Sequence, residues 1–205
     1  GKARIDAALV VGADGRHSTV RQAAGLEVDE LGAPMDVLWF RLSRRPEDPS
    51  DTMGRFDAGR IFVLINRGQH WQCGYVIAKD SIARVHAAGI EEFRAGVARL
   101  APFARDRVGE IASWDDVKLL TVGVDRLKRW HRPGLLCIGD AAHTMSPIGG
   151  VGINLAIQDA VAAANLLAAP LCRGAVTDAD LQSVQARREP PTRKTQAMQV
   201  FLQKN

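Results

Sequence analysis

Residues 139–154 read GDAAHTMSPIGGVGIN, and no other stretch restricts the fold as much. Just upstream, GLLCI (Gly134 to Ile138) is a short apolar run of strand type, and downstream INLAIQDAVAAANLLA carries apolar residues at helical spacing. Asp140 is thereby placed at a strand end that faces a helix N-terminus. Gly149, Gly150 and Gly152 leave the backbone bare where it enters the helix, so peptide N–H groups can approach an anion or a polar ring edge, aided by the positive helix end. Ala141 and Ala142 clear space beside Asp140, an acceptor suited to a sugar hydroxyl, and Pro147 stiffens the loop. Taken alone, such a glycine cluster serves equally as a tight strand-to-helix turn.

A second turn of the same kind lies near the start. DAALVVGADGRHSTVRQAAGL predicts a strand from about Ala7 to Val11, a tight turn at Asp14 and Gly15, and a short helix from about Ser18 to Ala24 closed by Gly25. Ser18 and Arg21 share one face of that helix, although Ser18 also suits a plain helix cap. Between the two turns the pattern changes. DVLWFRLSR, RIFVLINRG and QHWQCGYVIAK predict an antiparallel sheet with one solvated face, from Met35 to about Lys79. GIEEFRAGVARLAPF returns to helical period until Pro102, VKLLTVGVDRL predicts one further strand, and a polar helical tail after Pro170 is predicted to break at Glu189 to Pro191. One domain is therefore inserted into another, with segments 1–30, 31–128, 129–170 and 171–205.

At 46% hydrophobic and 24% charged residues, the 205-residue chain is globular in character, and its longest apolar stretches read as too short to cross a bilayer. GKARIDAALVVGADG lacks the marks of a signal peptide, and Cys73, Cys137 and Cys172 read as widely spaced core residues of a reducing, cytoplasmic protein rather than a disulfide or metal framework. The tail carries Arg173, Arg187, Arg188, Arg193, Lys194 and Lys204 against Asp178, Asp180 and Glu189. Without aromatic interleaving or a recognition-helix signature, this excess reads as a solvated helix face, and nucleic acid is not expected as a partner. His70, His86 and His131 read as surface or loop residues, and Trp39 and Trp71 as core more than substrate platform.

In this order and at this separation, GADGRHSTVR and GDAAHTMSPIGGVGIN resemble the paired motifs of the flavoprotein monooxygenases related to para-hydroxybenzoate hydroxylase. The resemblance covers nearly the whole chain to about Ala168. It implies an α/β fold (α+β overall) in which a partial FAD-binding Rossmann-like domain carries an inserted, mainly antiparallel β-sheet substrate domain. It also implies FAD as cofactor, NAD(P)H as reductant, molecular oxygen, and a small aromatic or polyketide-like substrate against the sheet, from about Met35 to Lys79 and Val117 to Leu127. Carried over residue by residue, Gly139, Asp140 and Ala141 would meet the ribityl chain. Pro147, Gly149, Gly150, Val151, Gly152, Ile153 and Asn154 would border the flavin ring, while Asp14, Gly15, Ser18 and Arg21 would lie toward the pyrophosphate. Pro147 and His143 border the flavin region, with His143 in a structural or orienting role and no metal implied. Val151 stands where many members have glutamine.

One departure stands out. Family members open with a strand, a G-x-G-x-x-G turn and a helix for the adenosine pyrophosphate, and the nearest match here, GGVGIN, lies inside the later motif. The chain is accordingly expected to be a C-terminal portion that exposes an apolar sheet edge and apolar helix faces, to be covered by a preceding segment or by a second copy. A halogenase or dehydrogenase on the same scaffold, or an inactive remnant that binds a partner, are the alternatives. The halogenase signature W-x-W-x-I-P is missing from the chain.

Overall fold

The structure, a computed structural model, describes residues 4–57 and 60–204, so residues 1–3 and 205 of the expected end segments lie outside it. The elements run β1 (Val10–Gly12), α1 (Thr19–Ala23), β2 (Val28–Glu30), β3 (Met35–Ser43), β4 (Met53–Asp57), β5 (Arg60–Asn66) and β6 (His70–Ala78). Then come α2 (Ile82–Ala87), α3 (Ile90–Leu100), β7 (Lys118–Leu120), β8 (Asp125–Leu127), β9 (His131–Arg132), β10 (Leu135–Cys137) and β11 (His143–Thr144). Two long helices, α4 (Gly152–Cys172) and α5 (Asp178–Lys204), complete the described chain. Two compact units result: one formed by residues up to Ala33 together with those from Gly123 onward, the other by Pro34–Val122.

The first unit holds two small sheets, of order β1–β10–β9 and β11–β8–β2. β1 and β10 run parallel, with Val10 opposite Leu135 and Gly12 opposite Cys137. Helix α1 is capped at both ends as its sequence suggests. The Ser18 hydroxyl accepts the Arg21 N–H, and at the other end Gly25, at φ +63°, lets Gly25 N–H and Leu26 N–H turn back to the carbonyls of Gln22 and Arg21. The core joins Leu127, Trp130, Leu136 and Cys137 to Ala163 and Leu167 of α4 and to Leu181 and Val184 of α5. The expected apolar exposure is present. Val10 and Val11 are about half exposed on the edge strand β1, and Ile153, Ile157 and Val161 lie open along α4 at helical spacing.

The second unit is built on the antiparallel sheet β4–β5–β6–β3–β7. Alternation along β3 sends Leu38, Phe40 and Leu42 to a core shared with Phe62, Leu64, Trp71 and Cys73, and α3 closes that core with Phe93, Val97 and Leu100. At Pro102 the helix stops, with Ala101 driven to φ −128°, ψ 73°.

Six expectations are corrected. VKLLTVGVDRL is not one strand: β7 and β8 belong to different sheets, because the Val122 N–H is taken by the Asp36 carboxylate at 2.9 Å and its carbonyl by Lys79 Nζ at 2.8 Å, leaving nothing to pair in a ladder. The tail does not break at Glu189 to Pro191. α5 runs through Pro190 and Pro191, and buried side chains on either side, Gln185 and Arg188 before and Gln196 and Gln199 after, hold it in line where intrahelical hydrogen bonds are missing. Nor is the tail merely a solvated face, since Arg188, Thr192, Gln196 and Gln199 are buried. His131 is fully buried between Asp178 and Gln182, whereas Cys172 is exposed rather than core. Finally, Ile148–Cys172 is, by length and composition, apolar enough to cross a membrane, alone among the described helices. Its packed face, Leu155, Ala162, Ala163 and Leu167 with the buried Asp159, is that of a core helix.

Candidate functional site

The parallel pairing of β1 and β10 places the two turns side by side. Both strands end at the same edge, where the Ile138 N–H bonds to the Gly12 carbonyl at 2.9 Å, so the Asp14 turn and the Asp140 turn leave from neighbouring strand ends. In open α/β sheets this edge is where ligands bind. Two glycines make the approach possible. A Cβ at Gly12 would lie 3.0 Å from both Cys137 Sγ and Val20 Cγ1, and one at Gly139, already at φ +57°, would lie 3.0 Å from the Ala156 Cβ of α4. Burial pushes the Cys137 thiol up to about 11, with the Asp14 charge adding to it, which suits a packing residue and not a nucleophile.

Around Asp140 the chain is open. Gly139–Ala141 forms a single tight 3-10 turn that leaves Asp140 half-buried, with no hydrogen bond or ion pair to any described residue. The loop that follows holds Pro147 half-buried and exposes Gly149 and Gly150 at φ +80° and +60°, and no side chain caps α4 at Val151. Gly152, Ile153 and Asn154 thus begin a long helix whose first N–H groups have no side-chain acceptor. An unpaired acid acceptor beside bare, exposed backbone donors is the donor and acceptor set that a sugar chain and a polar heterocycle edge require, so the residues fit a flavin.

The Asp14 turn is different, because its polar groups are already engaged. Asp14 accepts from the Ser18 hydroxyl at 2.6 Å and the Val20 N–H at 3.1 Å, and these bonds, the Ser18 one foremost, hold its carboxyl below the ordinary value. Arg21 reaches Asp125 at 3.3 Å and the Arg16 carbonyl at 2.7 Å. Gly15 supplies the left-handed turn at φ +84°. Ser18 and Arg21 therefore brace the turn, while the Asp14 side chain is exposed.

Beneath the Asp140 turn lies a buried cluster that the sequence reading missed. Asp159 of α4, fully buried, accepts from His143 Nε2 at 2.6 Å and the Gly139 N–H at 3.0 Å on one oxygen, and from Arg188 Nε of α5 at 2.7 Å on the other. Burial works to raise the Asp159 pKa, but the His143 bond and charge, Arg188 and the Gly139 N–H together bring it below its ordinary value. His143 is thus an orienting residue packed against Trp130, with Nδ1 buried and unpaired among the described residues. The available signal was a lone acid midway along an otherwise apolar helix, in register with Leu155 and Ala162.

In the second unit, the outward sheet face has its own feature. A Cβ at Gly74 would come within 3.1 Å of the Trp39 ring, so only glycine lets the indole lie against the strand. Trp39 borders an open groove of about 660 Å³ with Arg41, Ser43, His70, Gln72 and Lys118, whereas Trp71 is fully buried, as expected of a core residue.

With this geometry in place, comparison with known proteins is decisive. Residues 1–199 match the family model described as an FAD binding domain. The chain belongs to that family. It is 37% identical over 199 residues to 6-methylpretetramide 4-monooxygenase of Streptomyces rimosus, covering 96% of this chain and 47% of that protein. It is 30% identical over 170 residues to 3-demethoxyubiquinol 3-hydroxylase of Escherichia coli (strain K12), covering 80% of this chain and 41% of that one. The chain therefore spans about half the length of the curated relatives it matches. Among solved structures, PqsL, a probable FAD-dependent monooxygenase from Pseudomonas aeruginosa, shares the fold at a TM-score of 0.76 and 23% identity, over 93% of this chain and 54% of that one.

Proposed function

We propose that this FAD binding domain chain is part of an NAD(P)H-consuming, FAD-dependent monooxygenase that hydroxylates an aromatic or polyketide-like small molecule. The observation that carries the reading is Asp140: a half-buried acid without a partner among the described residues, at a strand end beside the exposed, uncapped start of α4. In this reading Gly139, Asp140 and Ala141 hold the ribityl chain, with Asp140 accepting from its hydroxyls. Pro147, Gly149, Gly150 and the backbone of Val151, Gly152, Ile153 and Asn154 border the ring, a contact that needs no glutamine at position 151. Asp14 and Gly15 line the pyrophosphate side, and Ser18 and Arg21 keep that turn in shape. Held by these residues, a flavin would supply two-electron chemistry between reduced nicotinamide and molecular oxygen, with one oxygen atom going to the substrate and the other to water. Substrate recognition falls to the outward sheet face, where the Trp39 indole on Gly74 offers a planar ring a surface to stack on. The relatives named 6-methylpretetramide 4-monooxygenase and 3-demethoxyubiquinol 3-hydroxylase support hydroxylation of a ring-containing small molecule.

Flavin fluorescence titrated with the purified chain tests this. Since most of the assigned contacts face the ring and ribityl end and only the Asp14 turn faces the pyrophosphate, riboflavin should compete with FAD far better than ADP does. Anaerobic bleaching of the bound flavin by NADPH or NADH then tests the reductant. Failure of any flavin to bind at millimolar chain, or equal competition by ADP, would overturn the assignment.

A further inference from the structure

From Arg188 onward the long helix α5 is built inside out. Arg188, Thr192, Gln196 and Gln199 recur at helical spacing and are all buried, while Met198, Phe201 and Leu202 face solvent. Burying amides without partners is unfavourable, so their bonds show what this face is for. Gln199 takes the peptide groups on both sides of Pro147. Its Oε1 accepts the Ser146 N–H at 3.1 Å, and its Nε2 donates to the Ser146 carbonyl at 3.0 Å and the Ile148 carbonyl at 2.7 Å. Gln196, one turn earlier, donates to the carbonyls of Asp125 at 2.7 Å and Thr144 at 2.9 Å and accepts from Arg126 at 2.7 Å. The segment from Thr144 into the 3-10 turn Ile148–Gly150 thus has its backbone bonded by a helix that contributes no residue to it. Gly149 and Gly150, which follow the bonded Ile148 carbonyl directly, are exposed.

We propose that Gln199, supported by Gln196, is a positioning residue for the Pro147 loop: it fixes the peptides on either side of Pro147 and so presets the ring-binding edge of the flavin site. The inference rests on the assignment of that loop to the flavin. The amide does what a paired strand would otherwise do, and its loss removes three hydrogen bonds from the peptides next to the residue that borders the ring. Docking of α5 therefore governs flavin binding without contact to the flavin.

Three chains test this: the parent, Gln199→Met, which keeps the side chain's length but none of its hydrogen bonds, and Gln182→Met, which removes a hydrogen bond from His131 elsewhere on α5. In each, amide exchange at Ser146 is followed without ligand, and the affinity for added FAD is read by flavin fluorescence. In Gln199→Met the Ser146 amide is expected to exchange roughly tenfold faster or more, and FAD to bind about tenfold more weakly. Gln182→Met should leave both unchanged even if it lowers the melting temperature. Unchanged Ser146 exchange in Gln199→Met overturns the inference whether or not flavin binds. Faster exchange with parental FAD affinity overturns its functional half, and a parent chain that takes no FAD while Gln199→Met still loses Ser146 protection refutes the flavin assignment and leaves the positioning of the loop standing.

Discussion

Two fully buried carboxylates, one in each unit, are each held by an arginine, and they serve different ends. Asp48 in the second unit is clasped by Arg107 through two bonds of 2.6 and 2.8 Å and by Trp71 Nε1 at 2.9 Å, and Arg107 goes on to the carbonyls of Ser43 and Phe103. That network ties a loop and a 3-10 segment to the sheet, with the Arg45 N–H donating to Asp48 at 3.0 Å and Asp106 lying 3.5 Å from Arg107. Asp159 in the first unit holds a turn instead, and the next residue of that turn, Asp140, has no partner among the described residues. A closed ionic cluster fixes a fold. A closed cluster beneath an open acid is, in the proposed reading, the support of a binding surface.

The comparison breaks first at Asp48. Asp48→Ala strands the Arg107 charge in the core, and urea denaturation should show a loss of about 3–5 kcal/mol, while the flavin affinity of the molecules that stay folded is unchanged. Asp159→Asn should cost about 2–3 kcal/mol, because one carboxylate oxygen and its charge are lost to Arg188 or to His143 and Gly139, and here flavin affinity should fall as well. Parental flavin affinity in folded Asp159→Asn would remove the distinction between the clusters.

Acid sharpens it. Both carboxyls lie below their ordinary values in the folded chain, Asp48 because the Arg107 bond outweighs burial and Asp159 for the reasons given above. Each contribution is therefore complete above the unfolded value near pH 4 and is lost as pH falls through the folded value. The urea midpoint should drop steeply below about pH 4, and Asp48→Asn should flatten that drop by removing the more depressed group. An equally steep acid limb in Asp48→Asn would contradict the assignment.

Much of this was legible in the chain. The two turns, the antiparallel insertion and the helix ends at Gly25 and Pro102 follow from local chemistry: left-handed glycines, a serine cap, alternation in DVLWFRLSR. What escaped was long-range. In α5 the polarity rule failed because Gln196 and Gln199 find their partners on the Thr144–Ile148 loop, some 50 residues away in sequence, and no spacing within the tail reveals that. The same holds for Pro190 and Pro191, which break isolated helices but not one gripped on both sides, and for His131, whose partners Asp178 and Gln182 lie on another element. Asp159 was visible as an acid in an apolar helix, but its role appeared only with Arg188 across from it.

The most direct measurement pairs Asp140→Ala with the parent chain in two readouts, melting temperature and FAD affinity by fluorescence titration. With no partner to lose, Asp140→Ala should leave stability within about 0.5 kcal/mol of the parent, while FAD affinity falls at least roughly tenfold, as loss of a charged acceptor requires. Equal FAD affinity in the two chains, or a drop in melting temperature that accounts for the whole loss of binding, would contradict the claim that Asp140 is held open for the cofactor.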